Sequence, residues 1–314
     1  MDAEWRERSG AIQVDHAVLR KIMNNITCLI ENTKAAPEFE REHGLSLYIE
    51  TENHKLLSDT GQSGLFLKNA DRLGIDLSLV DTVVISHGHY DHADGLPAFR
   101  EVNPHAAVYL HKDAFLPRYH EESYIGVSPE ISSLPGIVLI EDDTRIDDEL
   151  SIFGGVTGRR CYPKGNNELT VEINGKLQKD DFHHEIYLVI TQHGRRILIS
   201  GCAHNGILNI MDRFREIYGD NPDVVITGFH MIQSGEYTAN DKKQILRTAK
   251  ELAETDTLFF SGHCTGKPAF EMMKTVLGDQ LLALSSGERL LTQERPGLTT
   301  PISRKGGACS VRRC

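Results

Sequence analysis

The chain has 314 residues, of which 39% are hydrophobic and 25% are charged, as expected for a folded globular protein. Its formal net charge of −11 argues against a broad nucleic-acid-binding surface and against binding to anionic membranes. No segment approaches the roughly 18 consecutive apolar residues of a membrane span, and the first residues lack the basic-then-apolar pattern of a secretion signal.

Apolar residues recur with strand and helix periods through most of the chain. Strands are predicted at residues 21–31, 45–51, 54–59, 82–86, 107–110, 186–190, 196–200, 224–226 and 258–260. Helices are predicted at residues 66–73, 96–102, 207–218, 240–254 and 268–276. Between residues 112 and 183 the pattern is irregular, with short strands at 137–140 and 150–153 between loops.

This pattern predicts one domain over residues 20–294. An N-terminal extension (residues 1–19) would precede the domain, and a disordered tail (residues 295–314) would follow it. The irregular segment, residues 112–183, is predicted to cover the functional site, because loops on a rigid scaffold tend to carry specificity.

The two halves of the domain repeat the same order of features. Residues 55–61 and 196–202 each read as a strand that ends in a glycine turn. Residues 83–87, 224–230 and 258–263 each read as an apolar strand followed by a turn that carries a histidine. We therefore predict a diverged duplication of the α/β class, in which each half is a sheet flanked by helices, giving a four-layer αββα sandwich. Histidines at one edge of the sheets would converge on one pocket.

The most informative motif is the H-x-H-x-D-H stretch after the strand at 82–86. It holds His87, His89, Asp91 and His92. His87 and His89 are two residues apart, so both can project from one side of the chain and bind one ion. Asp91 and His92 lie in the following turn and could reach a second ion. Imidazole and carboxylate are good ligands of zinc, iron and manganese, so the motif predicts a two-metal site.

The segment S-H-G-H-Y-D-H-A-D-G-L at residues 86–96 resembles the signature of the metallo-β-lactamase superfamily. Further segments at 42–46, 58–63, 201–207, 228–230 and 263–266 resemble its subgroup often labelled dihydropteroate-synthase-like. That subgroup includes an archaeal enzyme named for joining a dihydropterin to a ribosyl-aminobenzene phosphate. The resemblance spans about residues 22–292. It implies the metallo-β-lactamase fold, which is the four-layer αββα sandwich.

The resemblance also suggests the remaining metal ligands. In much of the superfamily, a histidine before the strand at 186–190 completes the first site, and an aspartate after the next strand bridges both ions. Here Cys202 stands where that aspartate is expected, and it could bind as a thiolate or be a packed residue. We predict His204 as the third ligand of the first ion, with His183 and His184 as alternatives. His263 matches the last ligand of the superfamily and would join Asp91 and His92.

Three other residues receive supporting roles. His230 could be a metal ligand, a substrate contact or a hydrogen-bond donor behind a ligand, and contact with the substrate is favoured. His43 is predicted to line the pocket wall. Asp59 is predicted to orient a ligand histidine rather than to bind metal itself. Arg159, Arg160 and Lys164, in the covering segment, could bind a phosphate by charge-assisted hydrogen bonds or be a solvated loop.

These residues predict a dinuclear metal-dependent hydrolase that binds two divalent ions. Zinc is the preferred ion, and manganese and iron are the alternatives. Asp91 would hold a metal-activated water or accept its proton. The substrate would be small and anionic, of the phosphate-ester or pterin type.

Six cysteines without C-x-x-C spacing predict reduced thiols in a cytoplasmic protein. No nucleic-acid or membrane partner is expected, and a homodimer is left open.

Three alternatives to hydrolysis remain open at this stage. The resemblance itself favours a pterin-condensing synthase of the same fold. Di-iron members of the superfamily catalyse redox reactions, usually with a flavin domain, and no such domain is legible here. A non-catalytic, metal-dependent binding or sensor protein is the third alternative.

Overall fold

The computed structural model describes residues 25–141, 143–233 and 235–290. The predicted N-terminal extension (1–19) and C-terminal tail (295–314) lie outside these residues. The strands are β1 (Ile26–Ile30), β2 (Ser46–Glu50), β3 (Lys55–Ser58), β4 (Thr82–Val84), β5 (Ala107–His111), β6 (Arg118–His120), β7 (Ser123–Tyr124), β8 (Ile137–Ile140), β9 (Thr144–Arg145), β10 (Leu150–Phe153), β11 (Leu169–Ile173), β12 (Lys176–Lys179), β13 (Tyr187–Gln192), β14 (Arg195–Ile199), β15 (Val224–Thr227), β16 (Leu258–Ser261), β17 (Leu281–Ala283) and β18 (Glu288–Arg289). The helices are α1 (Leu65–Arg72), α2 (Tyr90–Ala93), α3 (Leu96–Val102), α4 (Ile207–Tyr218), α5 (Ala239–Ala253) and α6 (Lys267–Leu277).

The two large sheets share one pairing scheme. The first has the order β18-β1-β2-β3-β4-β5-β8, and the second has the order β9-β10-β13-β14-β15-β16-β17. Read in these orders, the first three pairs of each sheet are antiparallel and the last three are parallel. This common topology supports the predicted duplication.

The inner strands of the two large sheets, such as β1, β4 and β15, are buried on both faces, which explains their almost continuous apolar sequences. In β2, Leu47 and Ile49 face the other sheet, whereas Tyr48 faces the helices, because successive side chains of a strand alternate. One hydrophobic cluster fills the space between the sheets, a second packs α1 and α3 on the first sheet, and a third packs α4, α5 and α6 on the second. The predicted four-layer αββα sandwich is confirmed. No helix in the described ranges is long and apolar enough to cross a membrane.

The segment 112–183 is more regular than its sequence predicted. It contributes a small sheet with the order β12-β11-β6-β7, whose pairs are all antiparallel. Strand β12 (K-L-Q-K) is exposed along its whole length, so it lacks the apolar alternation from which a strand is predicted. The edge strands β17 and β18 have only three and two residues, too few for a periodic signal.

His54 links the two large sheets. It lies at the edge of the sandwich opposite the H-x-H-x-D-H stretch. Its Nδ1 is 2.8 Å from Oδ1 of Asp81, just before β4, and its Nε2 is 2.5 Å from Oδ2 of Asp147, before β10. Burial alone would lower the pKa of His54, but the hydrogen bonds to these two carboxylates outweigh it and raise the pKa. The protonated ring is therefore stabilised in the folded protein.

We expect this bridge to make stability depend on pH. Because the folded pKa of His54 is raised, its contribution is complete below the unfolded value of about 6.5 and is lost as the pH rises through the folded pKa. Urea unfolding in a chelating buffer should show wild type more stable than His54→Gln at acidic pH, by up to about 1 kcal/mol, since the carboxylates are partly exposed. His105→Gln, at an exposed position, is the control. A difference that is the same at every pH would contradict this role.

Candidate metal centre

The turns that follow five parallel strands meet at one edge of the sandwich. Asp59 follows β3, and the H-x-H-x-D-H stretch follows β4. His204, His230 and His263 follow β14, β15 and β16. The carboxyl ends of parallel strands lie at the same edge of a sheet, and therefore residues up to 204 positions apart in sequence, from Asp59 to His263, come together.

Three imidazoles form what we call the first donor set: His87, His89 and His204. Their ring centroids are 4.6 Å (His87–His89), 4.9 Å (His87–His204) and 4.9 Å (His89–His204) apart. All three Nε2 atoms are buried and have no hydrogen-bond partner within the described ranges. The opposite nitrogens of two rings are held, with His87 Nδ1 2.8 Å from Ser86 Oγ and His204 Nδ1 2.9 Å from Asn166 Oδ1. Such support leaves Nε2 as the free ligand atom.

The electrostatics of the first donor set favour the neutral imidazole, which is the form that binds metal. Burial holds the pKa of each of the three histidines well below its ordinary value. For His87 and His204 the neighbouring imidazoles lower the pKa further. The set is therefore unprotonated at neutral pH.

Asp91, His92 and His263 form the second donor set. Oδ2 of Asp91 is 3.1 Å from Nε2 of His263 and 3.6 Å from Nε2 of His92, and the two Nε2 atoms are 3.2 Å apart. Asn32 Oδ1 lies 3.0 Å from Nδ1 of His263. Burial would lower the pKa of His92, but the carboxylates of Asp59 and Asp91 raise it to about 9. An ion at this set would have to displace the proton of His92.

Asp59 holds His92 from behind. Its Oδ2 is 2.7 Å from His92 Nδ1 and accepts a hydrogen bond from Ser86 Oγ at 2.8 Å, while Oδ1 accepts one from the Ser86 backbone at 2.7 Å. This geometry supports the predicted orienting role.

Asp59 has a φ of +60°, and His230 and His263 each have a φ of +47°. Left-handed backbone is costly for residues other than glycine, and here it lies at the edge where the donor atoms gather.

Cys202 lies between the two donor sets. Its Sγ is 3.2 Å from His92 Nε2, and it belongs both to a group with His87 and His204 and to a group with His92 and His263. Within each group the donor atoms are within 4.8 Å of one another. Gly201 makes this approach possible, because it has a φ of +49° and an added Cβ would lie 2.2 Å from Ser86 Oγ.

The alternative histidines of the first site are less well placed than His204. Nδ1 of His184 accepts a hydrogen bond from the Gly88 backbone at 2.9 Å, and its Nε2 lies 3.4 Å from Asp180 Oδ2. Burial, with Arg118 nearby, lowers the pKa of His184 to about 4. His183 is exposed, and its ring lies 5.0 Å from that of His111. The His184 ring centroid is 6.2 Å from that of His87 and 6.0 Å from that of His89, against 4.9 Å from each for His204. These distances favour His204, and its role as a ligand stays a prediction.

A cavity of about 520 Å³ opens over both donor sets. Its wall includes His43, whose Nε2 is 3.2 Å from Asp91 Oδ2 and whose side chain is 48% exposed. It also includes His230, whose ring centroid is 4.0 Å from that of His204. Both histidines therefore line the cavity, and their contact with a substrate stays a prediction.

The basic residues of the covering segment separate into two groups. Lys164 lines the cavity and lies 3.2 Å from Asp241 Oδ1. Arg160 instead forms ion pairs with Asp212 and Glu251 on helices α4 and α5. Arg159 hydrogen-bonds to Asn205 and to backbone carbonyls and does not line the cavity. Of the three, only Lys164 is placed to meet a substrate.

Two residues that the sequence did not single out fix His204. Glu185 accepts hydrogen bonds from the backbone of His204 at 2.7 Å and of Asn205 at 2.8 Å, and burial raises its pKa to about 7. Phe182 stacks on the His204 ring with centroids 4.3 Å apart and an interplanar angle of 3°. The only sequence signal was the position of both residues directly before β13, at the edge that carries the other site residues.

Comparison with known proteins gives consistent similarities. A sequence model of the metallo-β-lactamase superfamily matches residues 40–163. An uncharacterized protein of Methanocaldococcus jannaschii is 33% identical over 77% of this chain and 90% of that protein. The 7,8-dihydropterin-6-methyl-4-(β-D-ribofuranosyl)-aminobenzene-5′-phosphate synthase of the same organism is 28% identical over 80% of this chain and 90% of that protein. The crystal structure of Tm1679, a metal-dependent hydrolase of the β-lactamase superfamily, superposes with a TM-score of 0.73 at 32% identity, covering 86% of this chain and 99% of that one.

Proposed function

The chain belongs to the metallo-β-lactamase superfamily, and we propose that it is an enzyme that uses two divalent ions to hydrolyse a small anionic substrate. The first donor set would hold one ion and the second donor set the other. Zinc suits these nitrogen-rich sets, with manganese or iron as alternatives. A phosphate ester or a pterin-type molecule is the substrate class that we propose.

The unpartnered Nε2 atoms of the first donor set are the observation that carries this proposal. A buried polar atom without a partner costs about 1–3 kcal/mol, so three on rings whose centroids lie within 4.9 Å of one another are expected only where something binds. Two donors of a single zinc ion lie at most about 4.2 Å apart for two nitrogens and about 4.6 Å apart for two sulfurs, because Zn–N and Zn–S bonds are about 2.1 and 2.3 Å long. The donor atoms of His87, His204 and the neighbouring Cys202 lie within 4.8 Å of one another, which approaches this size.

Bound ions would supply Lewis-acid catalysis and a nucleophile from water at neutral pH. The chain itself would move the protons. Asp91 Oδ2 lies at the base of the cavity and can accept a proton from a water held there. His43, in contact with Asp91 and half exposed, can pass that proton to solvent. Lys164 and His230, on the cavity wall, would position the anionic part of the substrate.

A pterin-condensing synthase is the second candidate. It is favoured by the similarity to the dihydropterin synthase, which extends over 80% of this chain. Ile125, Leu169 and Ile232 also line the cavity and offer an apolar wall to an aromatic ring. A substrate panel of phosphodiesters, phosphomonoesters, lactones and dihydropterin phosphates, assayed with added zinc, manganese or iron, would discriminate the two reactions.

Metal content tests the site independently of any substrate. Protein purified without chelator is expected to contain about two equivalents of transition metal per chain in the two donor sets, measured by inductively coupled plasma mass spectrometry. His204→Ala should lose about one equivalent, because it removes one of three ligands of the first ion. His184→Ala is the matched control and should lose none, since its Nδ1 accepts the Gly88 hydrogen bond and its Nε2 faces Asp180 Oδ2 at 3.4 Å rather than the first donor set.

In the opposite pattern, His184→Ala loses metal and His204→Ala retains it. That result would show that the first ion is bound by the histidine before β13, which is the more usual ligand position in the superfamily. A wild-type protein near zero equivalents that regains no ion from zinc, manganese or iron would refute the dinuclear proposal itself.

A further inference from the structure

We infer that Cys202, His230 and Cys264 form a separate binding site for a thiophilic metal ion on the wall of the cavity. We call these residues the thiol–imidazole set. One donor comes from the turn after each of three neighbouring parallel strands, β14, β15 and β16. Their donor atoms lie within 4.8 Å of one another, which is close to the span of one ion. The inference goes beyond the proposed hydrolysis and does not require it.

Each of the two thiols has a polar atom within contact distance. Cys264 Sγ lies 3.5 Å from the backbone oxygen of Cys202, and Cys202 Sγ lies 3.2 Å from His92 Nε2. Both cysteines are almost fully buried, yet both line the cavity. A cysteine that only filled space would be surrounded by apolar side chains. These two have ligand-type atoms as neighbours and access from the cavity.

His230 supplies the nitrogen that completes the set. Its Nδ1 is buried and has no hydrogen-bond partner in the part of the chain that the structure describes. Its backbone has a φ of +47°, a conformation that is costly for histidine. The unpartnered nitrogen, next to two thiols, is accounted for if it binds an ion.

Gly228 brings the two cysteines together. A Cβ added at this position would lie 2.3 Å from Cys264 Sγ and 3.5 Å from Cys202 Cα. The absence of a side chain at residue 228 therefore lets Cys264 reach across β15 toward Cys202. Any larger residue would separate the thiols without removing a donor atom.

Donor chemistry distinguishes this set from the two already described. Two sulfur atoms and one imidazole are soft ligands, and they select Zn²⁺, Cd²⁺ or Cu⁺ over Mg²⁺ or Mn²⁺. Each thiol would lose its proton to solvent as its bond to the metal forms. Since Cys202 also faces the first and second donor sets, an ion here would withdraw it from them.

Cd²⁺ titration of reduced, chelator-treated full-length protein tests the inference, with sulfur-to-cadmium charge-transfer absorption in the near ultraviolet as the readout. Wild type should show this absorption, and Cys264→Ser should lose about half of it, because each thiolate makes one sulfur–metal bond. His230→Ala and Gly228→Ala keep both sulfurs but should weaken Cd²⁺ binding more than about tenfold. Circular dichroism verifies that each variant is folded.

Two controls separate this site from the others. Cys161→Ser, at a partly buried thiol outside the set, should match wild type. His87→Ala, which disrupts the first donor set, should retain the full absorption. If Cys264→Ser absorbs as strongly as wild type, only Cys202 binds and the inference is wrong. If wild type binds Cd²⁺ without charge-transfer absorption, the thiol–imidazole set is refuted while the nitrogen and carboxylate sites stand.

Discussion

Asp91→Asn is expected to lower turnover at least about a thousandfold while leaving a folded protein, since positioned proton transfer alone contributes about 10² to 10⁴. Its carboxylate oxygen Oδ2 is within 3.6 Å of the Nε2 atoms of His43, His92 and His263. Burial would raise the pKa of Asp91, but these imidazoles hold it below its usual range, so the group is an anion. The amide has nearly the same shape but neither the charge nor the basicity.

The measurement is turnover of the best substrate from the panel, together with metal content. We expect about one equivalent of metal to be lost as well, because Asp91 is the only carboxylate of the second donor set. Asp71→Asn, at an exposed position on α1, is the control and should behave as wild type. If Asp91→Asn is folded and retains most of the activity, Asp91 does not take part in the reaction.

Arg118→Leu is expected to destabilise the protein by about 3–5 kcal/mol, which is the cost of leaving a buried charge without its partner. Arg118 is 2% exposed, and its Nε donates to Asp180 Oδ2 at 2.9 Å. Its guanidinium also donates to the backbone oxygens of Asp113, Ala114 and Leu116. The pair joins the small sheet to the turn that carries Phe182 and His184.

Urea unfolding of chelator-treated protein measures this effect. The double variant Arg118→Leu/Asp180→Leu should recover part of the loss, because it removes the uncompensated carboxylate. Arg145→Leu, in an exposed ion pair with Asp148, is the control and should change stability by less than about 1 kcal/mol. A loss for Arg118→Leu no larger than that of the control would show that the buried pair is not a determinant of stability.

The candidate donor residues were predictable from the sequence, and most of the contacts that fix them in place were not. His87, His89, Asp91 and His92 stand within six residues after an apolar strand, so their shared chemistry is visible in sequence. The sandwich was predictable for two reasons. Strands that are buried on both faces have continuous runs of apolar residues, and the two halves of the chain repeat the same order of strands and turns. The metal roles of these residues stay predictions.

The supporting residues required the structure. Glu185 fixes the backbone of His204 from 19 positions away, and Asn166 holds its ring from 38 positions away. Neither belongs to a local motif, since a hydrogen bond between distant loops leaves no period in the sequence. The meeting of Cys202 with Cys264 depends likewise on a missing side chain at Gly228, which a sequence shows only as one glycine among 27.

The matching topology of the two sheets has an evolutionary consequence. Each proposed donor set takes residues from both halves: His87 and His89 with His204, and Asp91 and His92 with His263. Neither half carries a complete set by itself. A half-length ancestor with this arrangement would have had its metal site only at the junction of two identical chains. Fusion of two such copies would let each half lose ligands that the other kept. The six histidines at the strand ends are now divided three and three between the halves, in different positions: His87, His89 and His92 after one strand, and His204, His230 and His263 after three.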